Sequence, residues 1–126
     1  MNFVMCKSKI HKARVTDSIL DYEGSLEIDT DIMKAAGIYP YEKILVVNAS
    51  NGQRFETYAI PGEAGTRAFK VNGAAAHRAS KGDTITVMSF GVCSEKEARK
   101  ISPKILIMNA RNEIVKKKGR SPLADA

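Results

Sequence analysis

Two runs rich in β-branched and aromatic residues, Lys43 to Asn48 and Gln53 to Ile60, flank the dipeptide Asn51-Gly52, and this hairpin signature constrains the fold more than any other stretch. Asn-Gly accepts the positive backbone φ angles of a tight reversal between twisted strands, so a turn of the primed type is expected there. The same grammar recurs along the chain: a short run alternating between two faces, then glycine, proline, asparagine or aspartate. Phe3 to His11 alternates loosely, with Lys7, Lys9 and His11 on one face and Cys6, Ser8 and Ile10 on the other; Ala13 to Thr16 extends it. Ser25 to Asp29, Thr66 to Val71, Asp83 to Val92, Pro103 to Asn109 and Glu113 to Lys116 read as further strands, with Asp17 to Gly24 and Pro61 to Gly65 as polar loops. Helices are brief. Asp29 or Thr30 caps Asp31 to Ala36 and Gly37 closes it, Ala74 to Ala79 gives one turn, and Ser94-Glu95-Lys96-Glu97 has capping-box spacing. About seven or eight short strands with one or two short helices argue for a mainly β fold, a small closed barrel, with a sandwich the other arrangement the pattern allows.

Several classes of function are disfavoured. No apolar run approaches the roughly 20 residues that span a bilayer, and Met1 to Lys7 lacks the basic-then-apolar order of a signal peptide, so a cytoplasmic protein with no membrane partner is expected. Cys6 and Cys93 form no CxxC pair and have no metal-ligand spacing with His11 or His77, so neither a disulfide nor a metal site is expected. The net charge is +6, but Lys116, Lys117, Lys118 and Arg120 against Asp125 supply half of it. The expectation is a single barrel domain over residues 1–115 and a flexible basic tail over 116–126. A small basic barrel that binds nucleic acid or an acidic partner without catalysis would need basic residues clustered with exposed aromatics, and aromatics are only 6%. No nucleic-acid partner is therefore expected. The chain has no GxSxG, P-loop or GxGxxG motif, and Glu23, Glu27, Asp29 and Asp31 read as a solvated strand face and a helix start.

What remains is Tyr22-Glu23-Gly24-Ser25 at a strand entrance. A serine hydroxyl can reach the carbonyl carbon of the preceding residue and turn the peptide into an ester, provided the peptide is strained or its oxyanion is held by fixed donors. Glycine on the carbonyl side allows unusual φ and ψ and leaves room for attack. Elimination then frees a chain ending in Gly24. The other piece begins with dehydroalanine, which takes up water and releases ammonia to leave a pyruvoyl group.

Four segments carry a resemblance. Lys9-Ile10-His11, Tyr22-Glu23-Gly24-Ser25, Asn51-Gly52-Gln53-Arg54-Phe55-Glu56-Thr57-Tyr58-Ala59-Ile60 and Val71-Asn72-Gly73-Ala74-Ala75-Ala76-His77 resemble the bacterial aspartate 1-decarboxylase family in order and spacing, with agreement from about Met5 to Phe90. The resemblance implies a double-psi β-barrel, a homotetramer with active sites between subunits, and self-cleavage into residues 1–24 and 25–126. It implies a covalent pyruvoyl cofactor derived from Ser25, with L-aspartate as substrate and β-alanine and CO2 as products feeding pantothenate synthesis. Glutamate in place of aspartate, and autonomous or helper-assisted cleavage, all stay open at this point. By the same resemblance Gly24 and Ser25 form the scissile pair, Thr57 assists cleavage, and Tyr58 donates a proton to the carbanion. Arg54 and Lys9 bind carboxylate, Asn72 and the amides of Gly73, Ala74 and Ala75 donate to a carboxylate or oxyanion, and His11 tunes the pocket. Read alone, Arg54 would be a surface ion pair with Glu56 or Glu42, and Tyr58 a packed aromatic with a wet hydroxyl.

Overall fold

The structure, a computed structural model, describes residues 1–120. Its strands are β1 (Asn2–Arg14), β2 (Asp17–Ile19), β3 (Ser25–Asp29), β4 (Lys43–Asn48), β5 (Arg54–Gly62), β6 (Phe69–Asn72), β7 (Thr84–Ser94), β8 (Ser102–Met108) and β9 (Ile114–Arg120). Two short helices, α1 (Thr30–Ala36) and α2 (Glu95–Ala98), and a 3₁₀ turn over Gly73–His77 join them. The strands form one sheet in the order β2-β6-β3-β5-β4-β7-β1-β8-β9. The pairs β1–β8, β2–β6 and β3–β5 are parallel and the rest antiparallel. Beyond β1 the chain crosses back over the sheet: Val15 N–H donates to Asp83 O and Thr16 N–H to Phe69 O, each at 2.9 Å. The sheet thereby curls into a small mainly β barrel. Inside, Phe69, Ile10, Leu26, Ile28, Ile44, Ile85 and Leu106 are fully buried, each worth about 1.5–3 kcal/mol of hydrophobic transfer.

Local sequence accounts for several boundaries. The Asp29 carboxylate caps α1 by accepting from Asp31 N–H at 2.8 Å, and Gly37 ends the helix at φ 71°. Ser94 and Glu97 complete the capping box of α2.

Several expectations need correction: Pro61 and Gly62 end β5 instead of opening a loop, β6 begins at Phe69 and not at Thr66, and four more follow. The hairpin turn is longer than the primed dipeptide: it spans Ala49 to Gly52 and closes through Gly52 N–H to Asn48 O at 2.8 Å, and Gly52, not Asn51, takes a positive φ. The Ser50 backbone N–H donates to Asn48 Oδ1 at 2.9 Å and stabilises this wider loop. The alternation along β1 is broken by register shifts between Cys6 and Ser8 and between Ile10 and Ala13. Lys7 therefore leaves the face of Lys9 and His11; it is 3% exposed, with its ammonium 3.1 Å from Glu42 and bonded to Gly37 O. The polar stretch before Gly24 contains a strand, β2, bonded to β6. Lys116 to Lys118 lie on β9, with Lys117 opposite Leu106 and Lys118 opposite Ile105, so the expected flexible tail does not begin at Lys116. The rest of that expectation, residues 121–126, falls outside the described residues.

One side chain ties three segments at the barrel seam. Asn112, 3% exposed at φ 57°, accepts Arg14 N–H at 2.7 Å and donates to Arg14 O at 2.9 Å and Arg67 O at 3.0 Å. Asparagine tolerates the left-handed region better than other side chains, and its removal leaves buried backbone groups unpaired. Asn112→Ala is expected to destabilise the fold by about 3 kcal/mol in urea unfolding; a loss under about 0.5 kcal/mol would show that the seam holds without it.

Candidate active site

Strand β3 lies between β6 and β5, and its register puts the candidate residues side by side. Ser25 is opposite Asn72 on β6, while Leu26 is opposite Val71 and next to Ala59 on β5. The parallel pairing with β5 begins at Leu26 and Ala59, so Thr57 and Tyr58 lie just ahead of the paired stretch at the same end as Gly24 and Ser25. Ser25 and Asn72 thus form one cross-strand pair, on the other sheet face from the core pair Leu26 and Val71. The sheet brings Ser25 and Asn72 together from distant parts of the sequence, with Thr57 and Tyr58 at the same end of β3.

Ser25 is only 1% exposed. Its Oγ accepts from Asn72 Nδ2 at 3.3 Å and donates to Glu23 O at 3.3 Å. Asn72 is 1% exposed and its Oδ1 has no hydrogen-bond partner. A buried carbonyl oxygen left unpaired costs about 1–3 kcal/mol, and such atoms concentrate at working sites.

The segment ahead of Ser25 rests on Gly73, which opens the 3₁₀ turn. A Cβ at Gly73 would stand 2.7 Å from Gly24 Cα and 2.8 Å from both Gly24 N and Tyr22 O, and Gly73 takes φ 72°. Only glycine lets the two backbones approach so closely. The conformational argument therefore moves: Gly24 is not in the left-handed region, and Gly73 is. The room expected at Gly24 is present, since a Cβ there would meet nothing within 4 Å. Ala74 and Ala75 follow on the turn, exposed and half-buried respectively.

Along β5 the exposed residues Arg54, Glu56 and Tyr58 alternate with half-buried or buried Phe55, Thr57 and Ala59, so Arg54 and Tyr58 share a face. The surface-pair reading of Arg54 fails: Glu56 binds Lys43 at 2.7 Å, Glu42 binds Lys7, and Arg54 has no ion pair among the described residues. Its guanidinium is available to an anion. The Tyr58 ring lies 6.2 Å from that of Tyr41.

Lys9 and His11 are elsewhere. They share a face of β1, which the sheet order separates from β3 by β7, β4 and β5. His11 Nδ1 is 3.4 Å from Thr86 Oγ1. Burial, then the charges of Lys9, Lys12 and Lys118, hold its pKa below the ordinary histidine value, so it is neutral at pH 7. Lys118 lies opposite Ile105, itself opposite Lys9. The sequence reading missed it by placing Lys118 in the tail, and three consecutive lysines carry no alternation that could have announced a strand. A single chain thus presents two groups: Gly24, Ser25, Thr57, Tyr58, Asn72 and Gly73 around β3, and Lys9 with His11 on β1.

Fold and site together define a small β-barrel with a buried serine at a strand entrance as its candidate reactive centre. Comparison with known proteins gives the family. The model of the family described as Aspartate decarboxylase matches residues 1–115. The chain is 48% identical to Aspartate 1-decarboxylase of Thioalkalivibrio sulfidiphilus over 116 residues, covering 92% of each chain. It is 49% identical to Aspartate 1-decarboxylase of Desulfotalea psychrophila over 110 residues, 87% of this chain and 92% of that one. It is 51% identical to Aspartate 1-decarboxylase of Chlorobium phaeobacteroides over 112 residues, 89% of this chain and 86% of that one. The chain belongs to the aspartate decarboxylase family, and is an enzyme.

Proposed function

We propose that this enzyme cuts itself between Gly24 and Ser25, converts Ser25 to a pyruvoyl group, and then decarboxylates L-aspartate to β-alanine and CO2. The observation that carries the reading is the enclosed Ser25 hydroxyl, held by Asn72 at 3.3 Å next to a Gly24 backbone seated on Gly73. In the cut, Ser25 Oγ attacks the Gly24 carbonyl carbon and the peptide nitrogen takes the hydroxyl proton, leaving an ester. Thr57, two residues before the Ala59 that pairs with Leu26, is the hydrogen-bonding group for that carbonyl. Elimination breaks the ester, one water adds, and one ammonia leaves.

The surroundings fit a pyruvoyl group at position 25. The Asn72 amide offers a donor and an unpaired acceptor there, and the Gly24 side is open. Such a ketone supplies an electrophile for an amine and a sink for the electron pair left by a departing carboxylate. Arg54 binds a substrate carboxylate through two parallel hydrogen bonds. Lys9 adds positive charge, and neutral His11 adds a hydrogen-bonding group without another cation. Asn72 and the amides of Gly73, Ala74 and Ala75 donate to carboxylate or oxyanion. The Tyr58 hydroxyl, carried on β5 one residue before the Ala59 that pairs with Leu26, delivers the proton to carbon.

The separation of Lys9 and His11 from Ser25 within one chain supports a homotetramer whose sites lie between neighbouring subunits, so that one subunit's β1 serves another's β3. A place in cytoplasmic pantothenate synthesis goes with this reading. Turnover of aspartate and glutamate by the processed protein tests it: aspartate is expected to be decarboxylated at least about ten-fold faster, since a pocket discriminates one extra methylene by roughly 10–200-fold. Equal or faster glutamate turnover would overturn the substrate.

A further inference from the structure

Tyr41 is held in a conformation that its own side chain disfavours. Its φ is 70°, in the left-handed region where Cβ crowds the following carbonyl and which bulky residues rarely adopt. The turn around it is fixed from both sides. Tyr41 N–H donates to Ala59 O at 2.7 Å, Ala59 N–H donates to Glu42 O at 3.0 Å, and Glu42 N–H donates to Tyr39 O at 3.1 Å. The Glu42 carboxylate accepts Tyr39 N–H at 2.9 Å and pairs with buried Lys7 at 3.1 Å. A glycine or asparagine would hold such a turn with less strain. Packing within its own chain does not explain the tyrosine either, because Tyr41 is 75% exposed there. What the strained backbone delivers is a ring 6.2 Å from the Tyr58 ring, tilted 36° to it, from a turn bonded to β5 at Ala59, the residue after Tyr58.

We infer that Tyr41 is a positioning residue for Tyr58: its ring restricts the Tyr58 ring and so holds the Tyr58 hydroxyl in the one orientation that proton delivery uses. Backbone strain held in place by surrounding bonds is characteristic of functional sites, and a ring of two rotatable bonds on an exposed strand face is otherwise free to swing. The inference rests on Tyr58 being the proton donor of the reading above.

The test uses full-length Tyr41→Asn and Tyr41→Phe. Asparagine relieves the strain and removes the ring; phenylalanine keeps both. Tyr41→Asn is expected to cleave normally, to melt at or above the wild-type temperature, and to lose about ten-fold in kcat with KM for aspartate unchanged. Tyr41→Phe is expected to restore wild-type kcat, since the ring and not its hydroxyl does the positioning. Independently of activity, the ¹³C ring resonance of Tyr58 in uncut Ser25→Ala protein is expected to move when Tyr41→Asn is added. An unchanged kcat in Tyr41→Asn, an equal loss in Tyr41→Phe, or a fall in melting temperature parallel to the loss of turnover would overturn the inference. If wild-type protein does not decarboxylate aspartate, the functional reading fails, and the Tyr58 resonance alone decides: an unmoved signal overturns the positioning role.

Discussion

Ser25→Ala protein is expected to stay whole indefinitely and to release no CO2 from aspartate. The alanine has no oxygen to attack the Gly24 carbonyl and none to leave in the elimination, so neither the ester nor the pyruvoyl group can form. The fold is expected to survive. Leu26 and Ile28, fully buried, anchor β3 in the core, and the hydroxyl makes only two long hydrogen bonds, both 3.3 Å. Losing them costs about 1–2 kcal/mol, because Asn72 then has no partner on either amide atom. Denaturing mass measurement and a CO2 assay read the two effects separately. A Ser25→Ala chain cut between positions 24 and 25 would remove the serine from the chemistry.

Gly73→Ala should be nearly as damaging by a different route. The new methyl would stand 2.7 Å from Gly24 Cα and 2.8 Å from Gly24 N and Tyr22 O, and these are backbone atoms that cannot rotate away. The left-handed φ of 72° adds a steric cost of about 1–2 kcal/mol. Either the segment Tyr22 to Gly24 moves off the turn or the turn unwinds; both displace the Gly24 carbonyl from Ser25 Oγ. Cleavage is expected to slow by about 10²-fold, the cost of roughly 1 Å of misplacement, and stability to fall by about 3 kcal/mol. A mass time course and urea unfolding read these out. Wild-type cleavage in Gly73→Ala would show that the close approach of Gly73 and Gly24 plays no part in the cut.

Much of the barrel follows from local chemistry. The Asp29 cap, the Gly37 stop, the β4 boundaries and the Ser94 capping box are matters of side chains within a few residues of one another, and the sequence states them directly. What eluded it depends on long-range partners. The shift at Lys7 is stabilised by Glu42, and the seam at Asn112 by Arg14 and Arg67. Strand β9 is paired through Lys117 and Lys118 to an apolar strand, so a basic run that reads as solvated becomes part of the sheet.

The candidate site divides in the same way. Gly24-Ser25 reads by itself as no more than a turn at a strand entrance, and resemblance supplied its role along with those of Arg54, Thr57, Tyr58 and Asn72. That Asn72 falls opposite Ser25 required the β3–β6 register. That the strained glycine is Gly73 and not Gly24 required the two backbones to be seen in contact. Tyr41 carried no signal at all, since nothing in Tyr39-Pro40-Tyr41-Glu42 announces a left-handed tyrosine.

The intact mass of the purified wild-type protein under denaturing conditions tests the central claim most directly. Two fragments meeting at Gly24 and Ser25, the larger lighter by one ammonia than its serine-started form, are the predicted result. A chain that stays whole through warm incubation with a maturation partner supplied, or a larger fragment that still begins with serine, would contradict it.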